Sequence, residues 1–388
     1  MATRTLEIQE LANALRRNAP YSIHVSDVKA YLRCRRQWNW SSALRGNLEP
    51  KKTPIYFLQG RGIHWSLATY HETGEHPAEV YKRFMTQVLD EEEAAMGFLY
   101  RSIKQERADQ MNIGIGMLNN YMDWVNSPER PDDVWETVAT ELDFSIPVLN
   151  PHGQVSSRII FEGTLDGIMR HRESGTLWIR EYKSIGREPN AEHLKNDLQN
   201  TLYAHAVQTL LGEPVAGVMY RFLRKSVPEP PERLKKGTFS KSKAQPTTYG
   251  RYMAALRDEA QSLIMAQKPE KVNDEASIRK VLAVLADDYS DFLTFLKEIG
   301  YSQYFTDIPI RKTPAELRNA AQEMWTVGLE MTHAGIDTYS SPDWFKCQYC
   351  SFREPCLAMN ADADWQSQLD HGFVQRKKQT RLDTNGDD

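Results

Sequence analysis

Between Val134 and Arg224 the chain reads as a run of strands broken by one helix, and the order of those elements limits the folds open to it. VWETVATELDFSIPVL reads as one strand, and SRIIFEGTLDGIMRHR and GTLWIREYKSI read as two more. A helix follows from about Ala191 to Leu211, stopped by Gly212, and PVAGVMYRFLR supplies a fourth strand. Three strands, a helix and a strand suit a mixed sheet covered by helices, in which the helix before the last strand allows a parallel crossover. The fold class expected is α/β.

The flanking segments read as helical. From Ser26, a good N-cap, a helix is predicted to Trp40, carrying Tyr31, Leu32, Cys34 and Trp38. Segments after Gly60, around 78–96 and around 103–125 share that periodicity, so 1–130 is expected to form a helical unit ahead of an α/β core at 131–225. Residues 226–335 are read as a basic loop and a helical region. There Thr313, Pro314, Ala315 and Glu316 form a capping box with Pro at the first helical position, starting a helix expected to reach Gly335. A cysteine-bearing segment at 336–365 precedes a tail, 366–388, whose end QRKKQTRLDTNGDD is too hydrophilic to pack and is expected to be mobile. Neither an internal repeat nor a GxxxxGK[ST] phosphate loop occurs, so the chain has no recognisable motor.

Of the 388 residues 40% are hydrophobic, and no apolar run approaches the ~20 residues that a bilayer-spanning helix needs, which predicts a soluble protein with no membrane partner. The opening MATRTLEIQELANALRR reads as a polar helix rather than a signal peptide. A net charge of −4 gives no general attraction to a polyanion, so any nucleic-acid surface must be local. The clearest local excess lies between Arg221 and Arg251, where Arg224, Lys225, Arg233, Lys235, Lys236, Lys241 and Lys243 outnumber Glu229 and Glu232. That stretch reads equally well as a solvated loop and as a phosphate-contacting arm.

Chemistry concentrates in Gly163-Thr164-Leu165-Asp166 and Glu181-Tyr182-Lys183. A turn centred between Glu173 and Ser174 places position 166 opposite position 181, and residues 181 and 183 share a face because side chains alternate along a strand. Asp166, Glu181 and Lys183 then converge. Two carboxylates form a hard-oxygen site suited to Mg²⁺ or Mn²⁺, and a lysine beside them can orient a hydroxide or stabilise charge developing on phosphorus. Hydrolysis of a phosphodiester needs that set of groups. On the following helix, Gln199 and Tyr203 lie one turn apart on one face, beside the apolar stripe Leu194, Leu198 and Leu202.

Four cysteines occur, Cys34 near one end and Cys347, Cys350 and Cys356 near the other. So few, in a chain that opens without a signal peptide, argue for a reducing compartment, where grouped thiolates read as metal ligands rather than disulfides. Spacing alone leaves zinc and a cubane iron–sulfur cluster level.

In chain order the motifs resemble those of the RecB-like branch of the PD-(D/E)XK nucleases: a histidine in Gly60-Arg61-Gly62-Ile63-His64, then Gly163 to Asp166, Glu181 to Lys183, and Gln199 to Tyr203. The resemblance implies a PD-(D/E)XK core and a metal-dependent DNA nuclease, an exonuclease on ends or single strands. It implies that His64, Asp166, Glu181 and the backbone carbonyl of Tyr182 hold metal, that Lys183 is the catalytic lysine, and that Gln199 and Tyr203 line the site. Glu181 stands where the family often has Asp, and Glu141 falls where related nucleases often carry an acid whose role here is unassigned. One leading and three trailing cysteines resemble the iron–sulfur members, such as CRISPR-associated adaptation nucleases and the AddB nuclease domain. That likeness implies a structural [4Fe–4S] cluster, with zinc as the alternative. Expected partners are DNA and a helicase, recombination or CRISPR-adaptation protein; the alternative function is a non-catalytic nucleic-acid-binding subunit. The expected location is the cytoplasm of a bacterial or phage-infected cell.

Overall fold

A computed structural model of the chain describes residues 2–15, 19–51, 54–187, 190–333 and 335–376. Its N-terminal part runs α1 (Ala2–Leu15), β1 (Tyr21–His24), α2 (Val25–Arg33), α3 (Arg35–Ser41), β2 (Leu48–Pro50), α4 (Ile55–Thr73), α5 (Pro77–Met96) and α6 (Lys104–Val125). The central part is β3 (Trp135–Leu149), β4 (Val155–His171), β5 (Leu177–Ile185), α7 (Ala191–Lys195), α8 (Leu198–Leu211) and β6 (Val215–Arg224). Next come α9 (Tyr249–Gln267), α10 (Glu275–Asp287), α11 (Ser290–Ile299), β7 (Phe305–Arg311) and α12 (Pro314–Met331). The chain closes with α13 (Trp344–Gln348), α14 (Arg353–Asn360), α15 (Trp365–Gly372) and β8 (Phe373–Gln375).

The central sheet is mixed. β5 and β6 run parallel, as the α8 crossover between them requires, whereas β3, β4 and β5 form antiparallel pairs and β7 returns antiparallel to β6. Gly167 faces Arg180 and Ile168 faces Ile179, a register that carries position 166 to position 181. At 17 residues β4 is long enough to serve three partners: β3 takes one edge, while β1 pairs with residues 159–162 and β5 with 167–170 of the other. That second edge therefore forks over residues 163–166. The fork is the topological feature that makes room for a site.

Helices cover both faces. On one, α2, α8 and α12 pack with the sheet around Ile23, Trp38, Phe161, Leu202, Val207, Met324 and Val327. On the other, α4, α5 and α6 bury Ile63, Leu67, Tyr81, Met117 and Tyr121 against Tyr182, Leu223 and Phe305. Residues 249–299 make a satellite of three helices around Tyr252, Tyr289 and Phe292, inserted between the adjacent strands β6 and β7.

Several boundaries differ from the sequence reading. The sheet is not confined to 131–225: it takes β1 from the helical unit and β7 from the region beyond the basic loop. Both escape periodicity, β1 because it has four residues and β7 because Pro309 interrupts it. The helix expected from a Ser26 cap to Trp40 starts two residues earlier, is capped by His24 rather than Ser26, and breaks at Cys34, whose extended backbone (φ −163°, ψ 113°) separates α2 from α3. Part of the expected mobile tail is structured: α15 buries Leu369, and β8 pairs with β2 and buries Phe373. Residues 377–388 lie outside the described residues. The basic stretch folds onto the satellite, with Arg233 paired to Glu259, Lys241 over the Tyr289 ring at 5.0 Å and Lys243 over Phe295 at 4.5 Å. No described helix is long and apolar enough to cross a membrane.

Candidate active site

The fork in β4 gathers side chains from both helical layers. His64, three turns into α4, sets its Nδ1 3.0 Å from Asp166 Oδ1, and the backbone N–H of Tyr182 donates to Asp166 Oδ2 at 2.9 Å. Lys183 pairs with Glu181, and from the opposite layer Gln199 donates its amide to the same Glu181 oxygen at 3.0 Å. Asp166 and Glu181 thus stand on neighbouring strands, each held in place. Gly163 is explained by packing, since a Cβ there would come within 2.9 Å of Phe144 and 3.3 Å of Tyr203. Tyr203 is buried between the rings of Phe144 and Phe161, and burial, then the charges of Glu181, Asp166 and Asp197, hold its hydroxyl protonated far above its ordinary range.

Electrostatics divide the two carboxyls. Burial raises the Asp166 carboxyl, but the His64 charge and the hydrogen bonds from His64 and Tyr182 outweigh it and keep Asp166 ionised below its usual range. Glu181 has burial and the neighbouring Asp166 charge both acting upward, partly offset by Lys183, and is pushed up to about 7. For His64 burial acts downward, yet Asp166 and then Glu181 overcome it and raise the imidazole to about 9. Lys183 loses to burial but gains more from Glu181 and Asp166, so it stays an ammonium.

Two further contributors join the site, Glu141, to which the sequence reading gave no role, and Lys29, which it missed. Glu141 of β3 brings a carboxylate oxygen to His64 and Asp166, so that one ligand atom from each of the three lies within 4.8 Å of the others. An octahedral cation with ligands at ~2.0–2.1 Å fits inside such a triangle, and one imidazole with two carboxylates is a hard donor set suited to Mg²⁺ or Mn²⁺. Glu141 sits at φ 40°, a left-handed conformation that costs a non-glycine residue ~1–3 kcal/mol and concentrates at functional sites. No local pattern betrays it, because alternation assumes a regular strand. The second is Lys29 on α2, whose Nζ lies 2.6 Å from Asp197 and 3.4 Å from Gln199 Oε1, linking α2 to Glu181 through the glutamine amide.

Behind the site lies a buried charge network. Arg221, fully buried, donates to Asp307 at 2.8 and 2.7 Å and at 2.5 Å to Asp132, while the Tyr182 hydroxyl meets His71 Nε2 at 2.7 Å. Burial, reinforced by Arg180 and Arg221 against the pull of Asp132, lowers the His71 imidazole to about 4, so it is neutral at physiological pH. These contacts clamp the far side of β5, and with it the Tyr182 N–H that orients Asp166.

A cleft of about 700 Å³ opens over His64, Glu141 and Asp166, walled by α4 and α5. Elsewhere, Cys34, Cys347, Cys350 and Cys356 line one cavity of about 370 Å³, although more than three hundred residues separate the first from the rest. The break between α2 and α3 turns Cys34 toward it. N–H groups approach three sulfurs: Ser341 to Cys34 at 3.4 Å, Asp343 to Cys347 at 3.4 Å and Arg36 to Cys356 at 3.3 Å. Burial, with Cys34 and Cys347 adding to it, keeps the Cys350 thiol raised against the pull of Phe352 N–H and Arg33.

No curated protein matches the chain. A profile of the PD-(D/E)XK nuclease superfamily matches residues 22–357, from β1 through α14, and so takes in the sheet, the fork and all four cysteines. With most of its length covered, the chain belongs to the PD-(D/E)XK nuclease superfamily.

Proposed function

We propose that this protein is a divalent-metal-dependent deoxyribonuclease of the RecB-like branch, acting as an exonuclease on DNA ends or single strands, with a structural [4Fe–4S] cluster joining its termini. The observation that carries the reading is the convergence of His64, Glu141 and Asp166 beside the Glu181, Lys183 and Gln199 group at the fork of β4. His64, Asp166, Glu141 and Glu181 would hold Mg²⁺ or Mn²⁺, with the Tyr182 carbonyl as a further donor. Bound there, the ion supplies Lewis-acid stabilisation of the phosphate and a water of lowered pKa. Lys183, kept cationic by its carboxylate neighbours, faces charge developing on the phosphate oxygens. Gln199 holds Glu181 in place, and Tyr203, packed beneath, fixes α8 against β4. For the cysteine site, the single cavity lined by all four cysteines and the N–H donors to three sulfurs support one shared metal group, and the resemblance to iron–sulfur members in the order of the cysteines favours a cluster over zinc. A helicase, recombination or CRISPR-adaptation partner would supply strand separation, for which the chain has no phosphate loop.

End-labelled single-stranded and duplex DNA incubated with the protein and Mg²⁺ or Mn²⁺ tests the reading. Cleavage that Asp166→Ala, Glu181→Ala and Lys183→Ala each abolish supports it; a wild-type protein that binds DNA but leaves it intact would make this a non-catalytic subunit.

A further inference from the structure

Helix α4 carries more chemistry than His64. Along the face that lines the active-site cleft, successive turns present Tyr56 and Phe57, then Gly60 and Arg61, then His64 and Trp65. The ring pair is 54% and 57% exposed, so it contributes little to the core that α4 otherwise builds through Leu58, Ile63 and Leu67. The two rings lie 4.5 Å apart, centroid to centroid. Between them and the metal donors, Gly60 keeps the surface flat, since a Cβ there would meet nothing within 4 Å, and Arg61 is exposed beside it.

Solvent-facing aromatic rings in a cleft that ends on a carboxylate site favour an occupant with flat apolar faces and a negatively charged backbone. At 1.5 Å per residue, eight residues separate Tyr56 from His64 by ~12 Å, which is the length of roughly three stacked nucleotides at ~3.4 Å each. Arg61 lies between the two ends, where a backbone phosphate would pass. The wall contains Glu91 on α5 and Asp143 on β3, the latter bonded to Thr164 at 2.7 Å, and their carboxylates bias the phosphates toward the α4 side. A duplex hides its base faces inside the stack. A single strand offers them.

We infer that the face of α4 from Tyr56 to Arg61 is a single-strand track, in which Tyr56 and Phe57 stack a base about three nucleotides from the scissile phosphate and Arg61 meets the intervening phosphate. The inference rests on the nuclease reading for what lies at the end of the track and makes an unpaired strand the substrate. Stacking on one ring is worth ~1–3 kcal/mol per base, or roughly five- to 150-fold in affinity.

The test measures binding of fluorescent dT₁₂ to the full chain in EDTA, where no cleavage occurs, against a dT₁₂ carrying abasic sites along its length. Wild type should bind intact dT₁₂ at least tenfold more tightly than the abasic strand; Tyr56→Ala with Phe57→Ala should bind both alike and weakly, and Tyr56→Phe should keep the preference. Arg61→Ala should weaken both strands equally. Because the altered rings are exposed, wild-type circular dichroism is expected throughout, and Tyr56→Phe shows whether any loss follows the ring itself. Equal binding of the two strands by wild type, or a double alanine variant that keeps the preference, overturns the track. Cleavage of dT₁₂ in Mn²⁺ is scored separately: cutting without base dependence sinks the track and spares the nuclease, whereas base-dependent binding without cutting does the reverse.

Discussion

Titrating the cation-free protein with Mn²⁺ across pH tests the electrostatics of the fork directly. His64 holds a proton up to about pH 9, because Asp166 at 3.0 Å, aided by Glu181, outweighs the burial that would drive the proton off. An imidazole must be unprotonated to bind metal, so association releases that proton. At pH 7.5 the imidazole lies about one and a half units below its pKa, which opposes binding by ~2 kcal/mol, or about 30-fold in apparent affinity. Glu181, pushed up to about 7, contributes a further fraction of a proton. Calorimetric titration in buffers of different ionisation enthalpy should therefore report at least one proton released per ion at pH 7.5. Apparent affinity should rise about tenfold per pH unit from 7 to 9 and then level off. His64→Gln, which has no such proton to lose, should bind more weakly at pH 9 yet lose most of that slope. Heats independent of the buffer at pH 7.5, with a flat affinity profile in the wild type, would refute His64 as a ligand that begins protonated beside Asp166.

Glu141→Ala should weaken Mn²⁺ binding at least tenfold in the same calorimetry, and Glu141→Gly, which alone removes the Cβ that makes φ 40° costly, should melt higher than Glu141→Ala in the cation-free protein; unaltered affinity would exclude Glu141 from the donor set. Arg221→Met leaves the half-buried Asp132 and Asp307 without their main partner and should cost up to ~3 kcal/mol in denaturant unfolding, so a loss below ~1 kcal/mol would contradict the network. His71 is neutral when folded, with its pKa lowered to about 4 by burial and nearby arginines, and ordinary when unfolded. The unfolded state therefore binds the extra proton, and the stability contribution of His71 is complete above pH ~6.5 and lost as pH falls toward 4, up to ~3 kcal/mol; His71→Gln should flatten this limb of the pH–stability curve, and an unchanged limb would count against it. Cys34→Ala and Cys350→Ala, measured for iron, sulfide and zinc after anaerobic purification, should lose metal and thermal stability alike. A Cys34 variant with full occupancy would separate the two ends.

Local patterns in the chain were enough to specify the four central strands and the helix between the last two, the register that sets position 166 against 181, and the residue types of the site, because strand alternation, turn position and capping act between near neighbours. Asp166, Glu181, Lys183, Gln199 and His64 were legible as motifs, although spacing alone did not say which of them share an atom-to-atom contact. Glu141 was visible only as an acid in a strand, since its role depends on a left-handed backbone that swings the carboxylate toward His64 and that no local pattern predicts. Lys29 meets Gln199 across 170 residues, and β1 and β7 join the sheet although their own stretches are too short or too interrupted to declare themselves. The fork in β4 arises because two strands from distant parts of the chain compete for one long edge, and their separation over residues 163–166 places Asp166 within reach of both helical layers. The sequence by itself determined the inventory of groups. Only the tertiary structure decided which of them converge, because convergence depends on long-range packing that positions side chains to within an ångström, while sequence spacing records only the order in which they occur.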